Sequence, residues 1–417
     1  MATLSPILKQ ATPVVVDHAL GSWIYATDGK KYLDFTTGIG VTSTGHCHPD
    51  VVAAAREQVG KIVHAQYTTV MHKPLLELTE RLGNFLPPGL DSVFYATSGS
   101  EAVEASVRLA RMATGRPNII SFHGGFHGRT VGAASLTTAG TKFRSGFSPL
   151  MSGVHIAPFP HAYRYGWDEE TAVDFALKEL DQLLASISSP ADTAGFIIEP
   201  VLGDGGYIPT PAGFLQGLRE RADKHGIVLI VDEVQAGVGR TGKFWGHNWA
   251  GIIPDVIITA KGLASGFPIS AIAASTELMG KAWPGSQGGT YGGNAVAAAA
   301  GVATLAVIER ENMVQNALVR GDELRAGLDS LKGQFATIGD VRGRGLMQSV
   351  EFTAADGTPD AATALAVQQA AIPEELLLLT CGPHGNVIRI IPPLNVSSDE
   401  IQAGLTRFTQ ALKTAAV

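Results

Sequence analysis

The stretch Asp255-Val-Ile-Ile-Thr-Ala-Lys261, which continues into Gly262-Leu-Ala-Ser-Gly266, decides the fold of this chain. A run rich in valine and isoleucine, between a proline and a glycine cluster, is typical of a strand buried in a parallel sheet. Lys261 closes that strand, although burying an ammonium group in a protein core is costly. A lysine at such a place usually reaches the surface, but a desolvated amine can also form a Schiff base.

A second apolar run of the same kind ends in acidic residues. Ile227-Val-Leu-Ile-Val231 leads directly into Asp232 and Glu233. In open α/β sheets, ligands bind beyond the carboxyl ends of the strands. Two buried strands that end in opposite charges therefore predict a functional site at that edge.

Length and composition exclude several classes of protein. A chain of 417 residues is too long for one small core and predicts two or three domains. Its 45% hydrophobic and 17% charged residues are typical of a soluble globular enzyme, and a net charge of -7 without a basic stripe argues against a nucleic-acid partner. The chain has only two cysteines and no N-terminal pattern like a signal peptide, which predicts a cytoplasmic protein. It has no run of about 18 apolar residues, so we expect no membrane span.

The middle of the chain alternates short apolar strands with helical patterns, which predicts a doubly wound α/β domain. A hairpin is expected around Asp28-Gly29, and helices are expected near 50–60, 73–85, 99–113 and 295–308. We predict a large domain over 51–288 and a smaller one built from 1–50 and 289–417. The strands expected in the large domain are 93–96, 118–122, 154–157, 195–198, 227–231 and 256–259.

Residues with binding chemistry follow the first two of these strands. Gly99 and Ser100 open a helix, where free backbone N–H groups and the helix dipole suit a phosphate. Phe126 and Arg129 follow the next strand and could offer an aromatic face and a carboxylate-binding guanidinium. Each signal alone is equally typical of an ordinary helix start or a glycine-rich turn. We expect no metal site, since the histidines at 46 and 48 lack a third ligand nearby.

The later strand ends add charged groups. Glu199 and Asp204 lie in one glycine-containing loop, and Asp232 and Lys261 follow the next two strands. One ligand accounts for all these strand ends, namely pyridoxal 5'-phosphate (PLP). Its aldehyde needs a lysine, its ring nitrogen a carboxylate, its phosphate backbone donors and its ring an apolar face. A nucleotide is a weaker candidate, because no G-x-G-x-x-G opens the first helix and no G-x-x-x-x-G-K-[ST] occurs.

Two long runs resemble the signature of the class III PLP-dependent aminotransferases. They are Leu229-Ile-Val-Asp-Glu-Val-Gln-Ala-Gly-Val-Gly-Arg-Thr-Gly242 and Pro254-Asp-Val-Ile-Ile-Thr-Ala-Lys-Gly-Leu-Ala-Ser-Gly-Phe-Pro268. The stretches 32–41, 289–294 and 381–390 support the resemblance, which covers nearly the whole chain and looks closest to 4-aminobutyrate aminotransferases. It implies fold type I, with a large doubly wound domain, a mainly parallel sheet and a smaller α/β domain. It also implies a homodimer with shared active sites and leaves open whether dimers pair into a tetramer.

The resemblance assigns a role to each matching position. Lys261 would be the Schiff-base lysine, and Asp232 would be the partner of the ring nitrogen. The remaining cofactor-binding positions would be Gly99 and Ser100 at the phosphate, Thr290 reaching the phosphate from the other subunit, Phe126 on the ring and Gln235 at the ring hydroxyl. The substrate-binding positions would be Ile39, Arg129, Glu199, Asp204 and Arg389, with Arg129 taking a distal carboxylate and Arg389 an α-carboxylate.

Asp204 departs from the pattern of the family. Members that act on ω-amino acids commonly have glutamate there, which neutralises the arginine matching Arg389 when the amine has no α-carboxylate. Racemases and epimerases of the same fold resemble Glu-Pro-x-x-x-Asp-Gly-Gly, the pattern found at 199–206, in which the aspartate serves as a second acid/base. The resemblance therefore leaves two reactions open.

We predict a PLP-dependent aminotransferase that moves an amino group from an amine or an ω-amino acid resembling 4-aminobutyrate to 2-oxoglutarate or pyruvate. The alternative is an amino-acid racemase or epimerase of the same fold; a phospholyase or a non-enzymatic PLP-binding protein is a more distant one. Arg129 and Arg389 favour transamination, because a dicarboxylate acceptor needs two cationic groups.

Overall fold

The computed structural model describes residues 3–415. No helix in that range is long and apolar enough to cross a membrane. The strands, in chain order, are β1 (Val16–Leu20), β2 (Trp23–Ala26), β3 (Lys31–Asp34), β4 (Ser92–Ala96), β5 (Asn118–Phe122), β6 (Val154–Ala157), β7 (Thr193–Ile198), β8 (Val201–Leu202), β9 (Ile208–Pro209), β10 (Val228–Asp232), β11 (Val256–Thr259), β12 (Ser270–Ala274), β13 (Ile338–Arg344), β14 (Met347–Phe352), β15 (Leu376–Leu377), β16 (Leu379–Cys381) and β17 (Val387–Ile390).

The helices connect the strands and cover both faces of the largest sheet. They are α1 (Thr37–Gly40), α2 (Pro49–Val59), α3 (Lys73–Gly83), α4 (Gly99–Thr114), α5 (Val131–Leu136), α6 (Ala162–Tyr165), α7 (Glu169–Ser186), α8 (Ala212–His225), α9 (Thr276–Met279), α10 (Ala295–Arg310), α11 (Met313–Lys332), α12 (Ala361–Ala371) and α13 (Ser398–Ala415).

The central sheet has seven strands in the order β4-β12-β11-β10-β7-β5-β6. Every neighbouring pair is parallel except those that involve β12, which runs antiparallel to β11 and β4. Alternate residues of β10 enter two separate cores: Val228 and Ile230 pack on the side of α4, and Leu229 and Val231 pack on the side of α7 and α8. Burial on both faces explains why these strands are continuously apolar.

The predicted fold is confirmed in its main features. All six expected strands and the hairpin of β2 and β3 are present, and helices occupy the four expected regions. The strand β12 was not predicted, because its sequence Ser-Ala-Ile-Ala-Ala has only one of the β-branched residues that indicate a strand.

Two further sheets join distant parts of the chain. One has the order β1-β2-β3-β15, where β15 pairs in parallel with β3 although the two are over 340 residues apart, and the other has the order β13-β14-β17-β16. The pairing of the N-terminal and C-terminal segments supports a smaller domain built from 1–50 and 289–417. That division stays a prediction, and its outermost residues (1, 2, 416 and 417) lie outside the described residues.

Candidate active site

A cavity of about 290 Å³ lies at the carboxyl edge of the central sheet. A larger cavity of about 430 Å³ contains none of the predicted site residues, so size alone does not identify the site. The smaller cavity is lined by seven of them, namely Gly99, Ser100, Phe126, Glu199, Asp232, Gln235 and Lys261.

Lys261 lies just after β11, at the start of a short 3₁₀ turn. Its φ of 44° places it in the left-handed region, which a residue other than glycine rarely adopts and which occurs preferentially at functional sites. Burial lowers the pKa of the Lys261 amine, and the Asp204 carboxylate counteracts this effect only in part. The amine is therefore neutral more often than an exposed lysine, as a nucleophile or a general base requires.

Asp232 is the last residue of β10 and is held by two donors. The Nδ1 of His127 donates to Asp232 Oδ2 over 2.8 Å, and the backbone N–H of Val234 donates to Oδ1 over 3.1 Å. The exposed fraction of the side chain is 1% for His127 and 4% for Asp232. Sequence reasoning missed His127, because its contact with an aspartate 105 residues away leaves no local pattern.

Glu199 follows β7 and is buried between two loops. Its Oε1 accepts from the backbone N–H of Phe126 over 2.8 Å, and its Oε2 accepts from that of Gly203 over 2.9 Å. Burial raises the pKa of Glu199 well above its usual value, and the charge of Asp232 adds to the rise. In this position Glu199 holds the backbone of Phe126. The contact of Glu199 with a substrate stays a prediction.

The start of α4 forms one wall of the cavity. Ser98 and Glu101 make a capping box, as in an ordinary helix start, and Gly99 and Ser100 are the first helical residues. Backbone N–H groups in the first turn of a helix have no intrahelical acceptor, so they are free for a phosphate. The Ser100 Oγ also accepts from the backbone N–H of Arg129 over 3.2 Å, which ties the next loop to this helix start.

These groups fit PLP. The cavity combines an amine of lowered pKa, a buried carboxylate and a helix start at its lining. In addition, the buried Oε1 of Gln235 has no hydrogen-bond partner among the described residues, as expected of a group that binds a ligand. A Cβ added at Gly203 would lie 2.7 Å from Gln235 Nε2, so the loop approaches this amide closely.

Asp204 and Arg389 form an ion pair beside the cavity. Arg389 lies on β17, and its Nη1 is 3.1 Å from Asp204 Oδ1. Burial alone would lower the pKa of the Arg389 guanidinium, but the Asp204 carboxylate raises it above its usual value. Both charges influence the pKa of Lys261, so the pair lies within electrostatic reach of the amine.

Besides the two residues of this ion pair, three other predicted residues do not line the cavity. Ile39 is 43% exposed in the left-handed turn of α1, and Thr290 is exposed. Arg129 is also exposed, and its guanidinium carbon lies 5.0 Å from the centre of the Phe143 ring. Their assigned roles stay predictions.

Comparison with known proteins agrees with this geometry. The class-III aminotransferase family matches residues 6–412. A 5-aminovalerate aminotransferase of Pseudomonas putida is 39% identical (95% of this chain and 92% of that protein), and a 4-aminobutyrate aminotransferase of Escherichia coli is 37% identical (97% and 95%). An alanine/serine racemase of Pyrococcus horikoshii is 35% identical (96% and 86%). An amine transaminase from an uncultivated Pseudomonas species, solved in a PLP-bound form, superposes with a TM-score of 0.91 at 28% identity, over 99% of this chain and 98% of that one.

The family match spans the seven predicted residues at the cavity and the ion pair beside it. The resemblance seen in the sequence is thus confirmed, and so are fold type I and the dependence on PLP. The chain belongs to the class-III aminotransferase family and is a PLP-dependent transaminase.

Proposed function

We propose that the protein moves the amino group of an ω-amino acid, such as 4-aminobutyrate or 5-aminovalerate, to 2-oxoglutarate or pyruvate. The ion pair between Asp204 and Arg389 carries this proposal. Because Asp204 balances the charge of Arg389, the guanidinium is not left unpaired when the substrate has no α-carboxylate, so an amine without one can bind. The names of the two aminotransferase relatives support the same class of donor.

Bound PLP supplies an electron sink that weakens the Cα–H bond of the substrate. Lys261 would hold the aldehyde group of the cofactor and, once released, would carry the proton between the substrate carbon and the cofactor. Asp232 would face the ring nitrogen, Phe126 would cover one face of the ring, and Gln235 would bond the ring hydroxyl. The N–H groups of Gly99 and Ser100 would bind the phosphate.

Recognition of the substrate would depend on two cations of different burial. Arg389 is 6% exposed and would take the α-carboxylate of the keto acid or amino acid after Asp204 turns away. Arg129 is exposed and would take the distal carboxylate. Ile39 and Glu199 would complete the substrate side of the site.

We also propose a cytoplasmic homodimer, which could pair into a tetramer. The exposed fractions of Trp283 and Tyr291 are 67% and 64%, which is unusual for large aromatic side chains and supports an interface there. Thr290 lies between them in the chain and would reach the phosphate of the other subunit across this interface.

The second candidate function is an amino-acid racemase, which the 35% identity to the alanine/serine racemase favours. In that reaction Asp204 would return a proton to the opposite face of the substrate carbon. The contact of Asp204 with Arg389 argues against it, because the guanidinium engages Oδ1 of the carboxylate that would have to exchange a proton with the substrate carbon.

A half-reaction decides between the two candidates. The PLP-loaded protein is mixed with 4-aminobutyrate, 5-aminovalerate or alanine without a keto acid, and pyridoxamine 5'-phosphate is quantified by chromatography. We expect it to form, and to form faster from the two ω-amino acids than from alanine. Inversion of alanine in deuterated water without pyridoxamine 5'-phosphate would refute the proposal in favour of racemisation.

A further inference from the structure

Two cationic side chains lie over the ring of Phe143. The guanidinium carbon of Arg129 lies 5.0 Å from the ring centre, and the Nζ of Lys142 lies 4.9 Å from it. The two cations are therefore at most about 10 Å apart. The ring itself is 6% exposed, whereas both cationic residues are exposed. A cation over an aromatic ring is favoured, but two on one ring also repel each other, so an anion between them would be stabilised.

This ring is connected to the cavity. Phe143 packs edge-on against Phe126, with ring centres 4.9 Å apart, and Phe126 lines the cavity. Burial raises the pKa of the Cys381 thiol to about 12, and the charge of Lys142 opposes this rise slightly, so Lys142 lies within electrostatic reach of the thiol. Cys381 ends β16, the strand that pairs with the strand carrying Arg389. Lys142 is thus on the same side of the cavity as the strand that carries Arg389.

Neither cation is neutralised within the part of the chain that the structure describes. Arg129 and Lys142 have no carboxylate partner among residues 3–415, whereas Arg389 is paired with Asp204. An incoming dianion therefore meets two unpaired positive charges at one end and a balanced pair at the other.

We propose that Lys142 is a second cation for the distal carboxylate, acting beside Arg129 and setting the preference for dicarboxylate acceptors and ω-amino carboxylate donors. The inference rests on the proposed function, in which Arg129 binds that carboxylate. The flexible four-carbon stem of a lysine can follow carboxylates at different distances from the reacting carbon, so Lys142 broadens the range of chain lengths that bind.

The chain offers a matched control. Trp249 also carries two cations, with Lys243 Nζ at 5.3 Å and the guanidinium carbon of Arg344 at 5.0 Å from its ring. None of these three residues lines the cavity beside Lys261, and Trp249, unlike Phe143, makes no ring contact with Phe126 in the part of the chain that the structure describes. Removing the charge of Lys243 therefore reproduces the loss of a lysine over an aromatic ring without touching the substrate side.

The test measures the affinity of the PLP-loaded protein for glutarate, a dicarboxylate with neither an amino nor a keto group. For Lys142→Gln we expect a loss of about two- to fivefold, the range of an exposed ion pair, at low salt. The loss should shrink in about 0.5 M NaCl, because salt screens exposed charges. Lys142→Arg should bind like the wild type, and Lys142→Glu should lose more than Lys142→Gln, since it would pair with Arg129. Lys243→Gln should have no effect.

Pyruvate separates a local effect from a general one, because its only carboxylate adjoins the carbonyl carbon. Its affinity should be the same in Lys142→Gln and in the wild type. Unchanged glutarate affinity in Lys142→Gln, an equal loss for pyruvate, or the same loss in Lys243→Gln would each overturn the inference. Glutarate binding needs no turnover, so a protein that fails to transaminate ω-amino acids would refute the proposed function while this result still decides the role of Lys142.

Discussion

The hydrogen bond from His127 to Asp232 predicts that His127 positions the carboxylate opposite the cofactor ring. Replacing His127 by Phe keeps an aromatic ring of similar volume and removes the Nδ1 donor, which lies 2.8 Å from Asp232 Oδ2. Asp232 then keeps only the backbone N–H of Val234 as a donor. A buried hydrogen bond to a charged group contributes about 1.5–3 kcal/mol, and if this loss appears wholly in the barrier, Cα–H cleavage slows about 10- to 150-fold.

The assay follows bound PLP absorbance in a stopped-flow instrument after mixing with 4-aminobutyrate, without a keto acid. Comparing the unlabelled amine with the same amine deuterated at the reacting carbon shows whether C–H cleavage is the step that slows. We expect a larger isotope effect in His127→Phe than in the wild type. His127→Asn, whose amide N–H can stand in for the Nδ1 donor, should recover part of the rate.

The neighbouring acid provides a matched control for this experiment. Glu233 accepts from His247 Nδ1 over 2.8 Å, and both side chains are fully buried, but neither lines the cavity. His247→Phe should therefore destabilise the fold at least as much as His127→Phe and leave the isotope effect unchanged. A wild-type rate in His127→Phe, or an equally large isotope effect in His247→Phe, would refute the positioning role.

Four other changes have expected outcomes. Lys261→Ala should abolish turnover and the borohydride-reducible link between protein and cofactor, detected by mass spectrometry; normal turnover would refute its assignment. Asp204→Glu should raise the ratio of kcat/KM for 4-aminobutyrate over that for alanine, and a fall in this ratio would count against the ion-pair argument. Gly404→Ala should lower the free energy of unfolding by about 1–3 kcal/mol in urea, because the added methyl group overlaps the Phe35 ring. Burial lowers the pKa of His161 from 6.5 to about 3, so between these pH values the unfolded chain binds a proton that the folded chain does not. The free energy of unfolding therefore falls as the pH drops below 6.5, by up to about 1.4 kcal/mol per pH unit. His161→Asn should show a flatter dependence of this free energy on pH.

The sequence was most informative where strands are buried on both faces. In β10 and β11 every residue is buried, so each strand reads as an apolar run and its polar end at Asp232 or just beyond at Lys261 stands out. The same rule failed for β12, which is equally buried but contains three alanines and only one β-branched residue, Ile272. Side-chain size in that strand is set by packing against its neighbours, which a single sequence does not reveal.

Contacts between distant segments were the second limit. The hydrogen bond from His127 to Asp232 and the position of Arg129 over the Phe143 ring both depend on how loops meet after folding. A family pattern can name the residues at a site, as it did for Arg129, but it does not show which other side chains lie over the same aromatic ring. Only the folded chain brings Arg129 and Lys142 onto one ring.

The charges beside the cavity explain why donors without an α-carboxylate should be preferred. Burial keeps Glu199 protonated more often than an exposed glutamate, and the Lys261 amine is neutral more often than an exposed lysine. An α-carboxylate that binds Arg389 must first displace Asp204, and the displaced aspartate then lies unpaired near Glu199, whose pKa its charge already helps to raise. Leaving a partly buried carboxylate without its partner is unfavourable, whereas an ω-amine leaves the ion pair intact. Because the side chain of Asp204 is still 16% exposed, water can solvate it after displacement, and so we expect the enzyme to accept some α-amino acids at reduced efficiency rather than to exclude them.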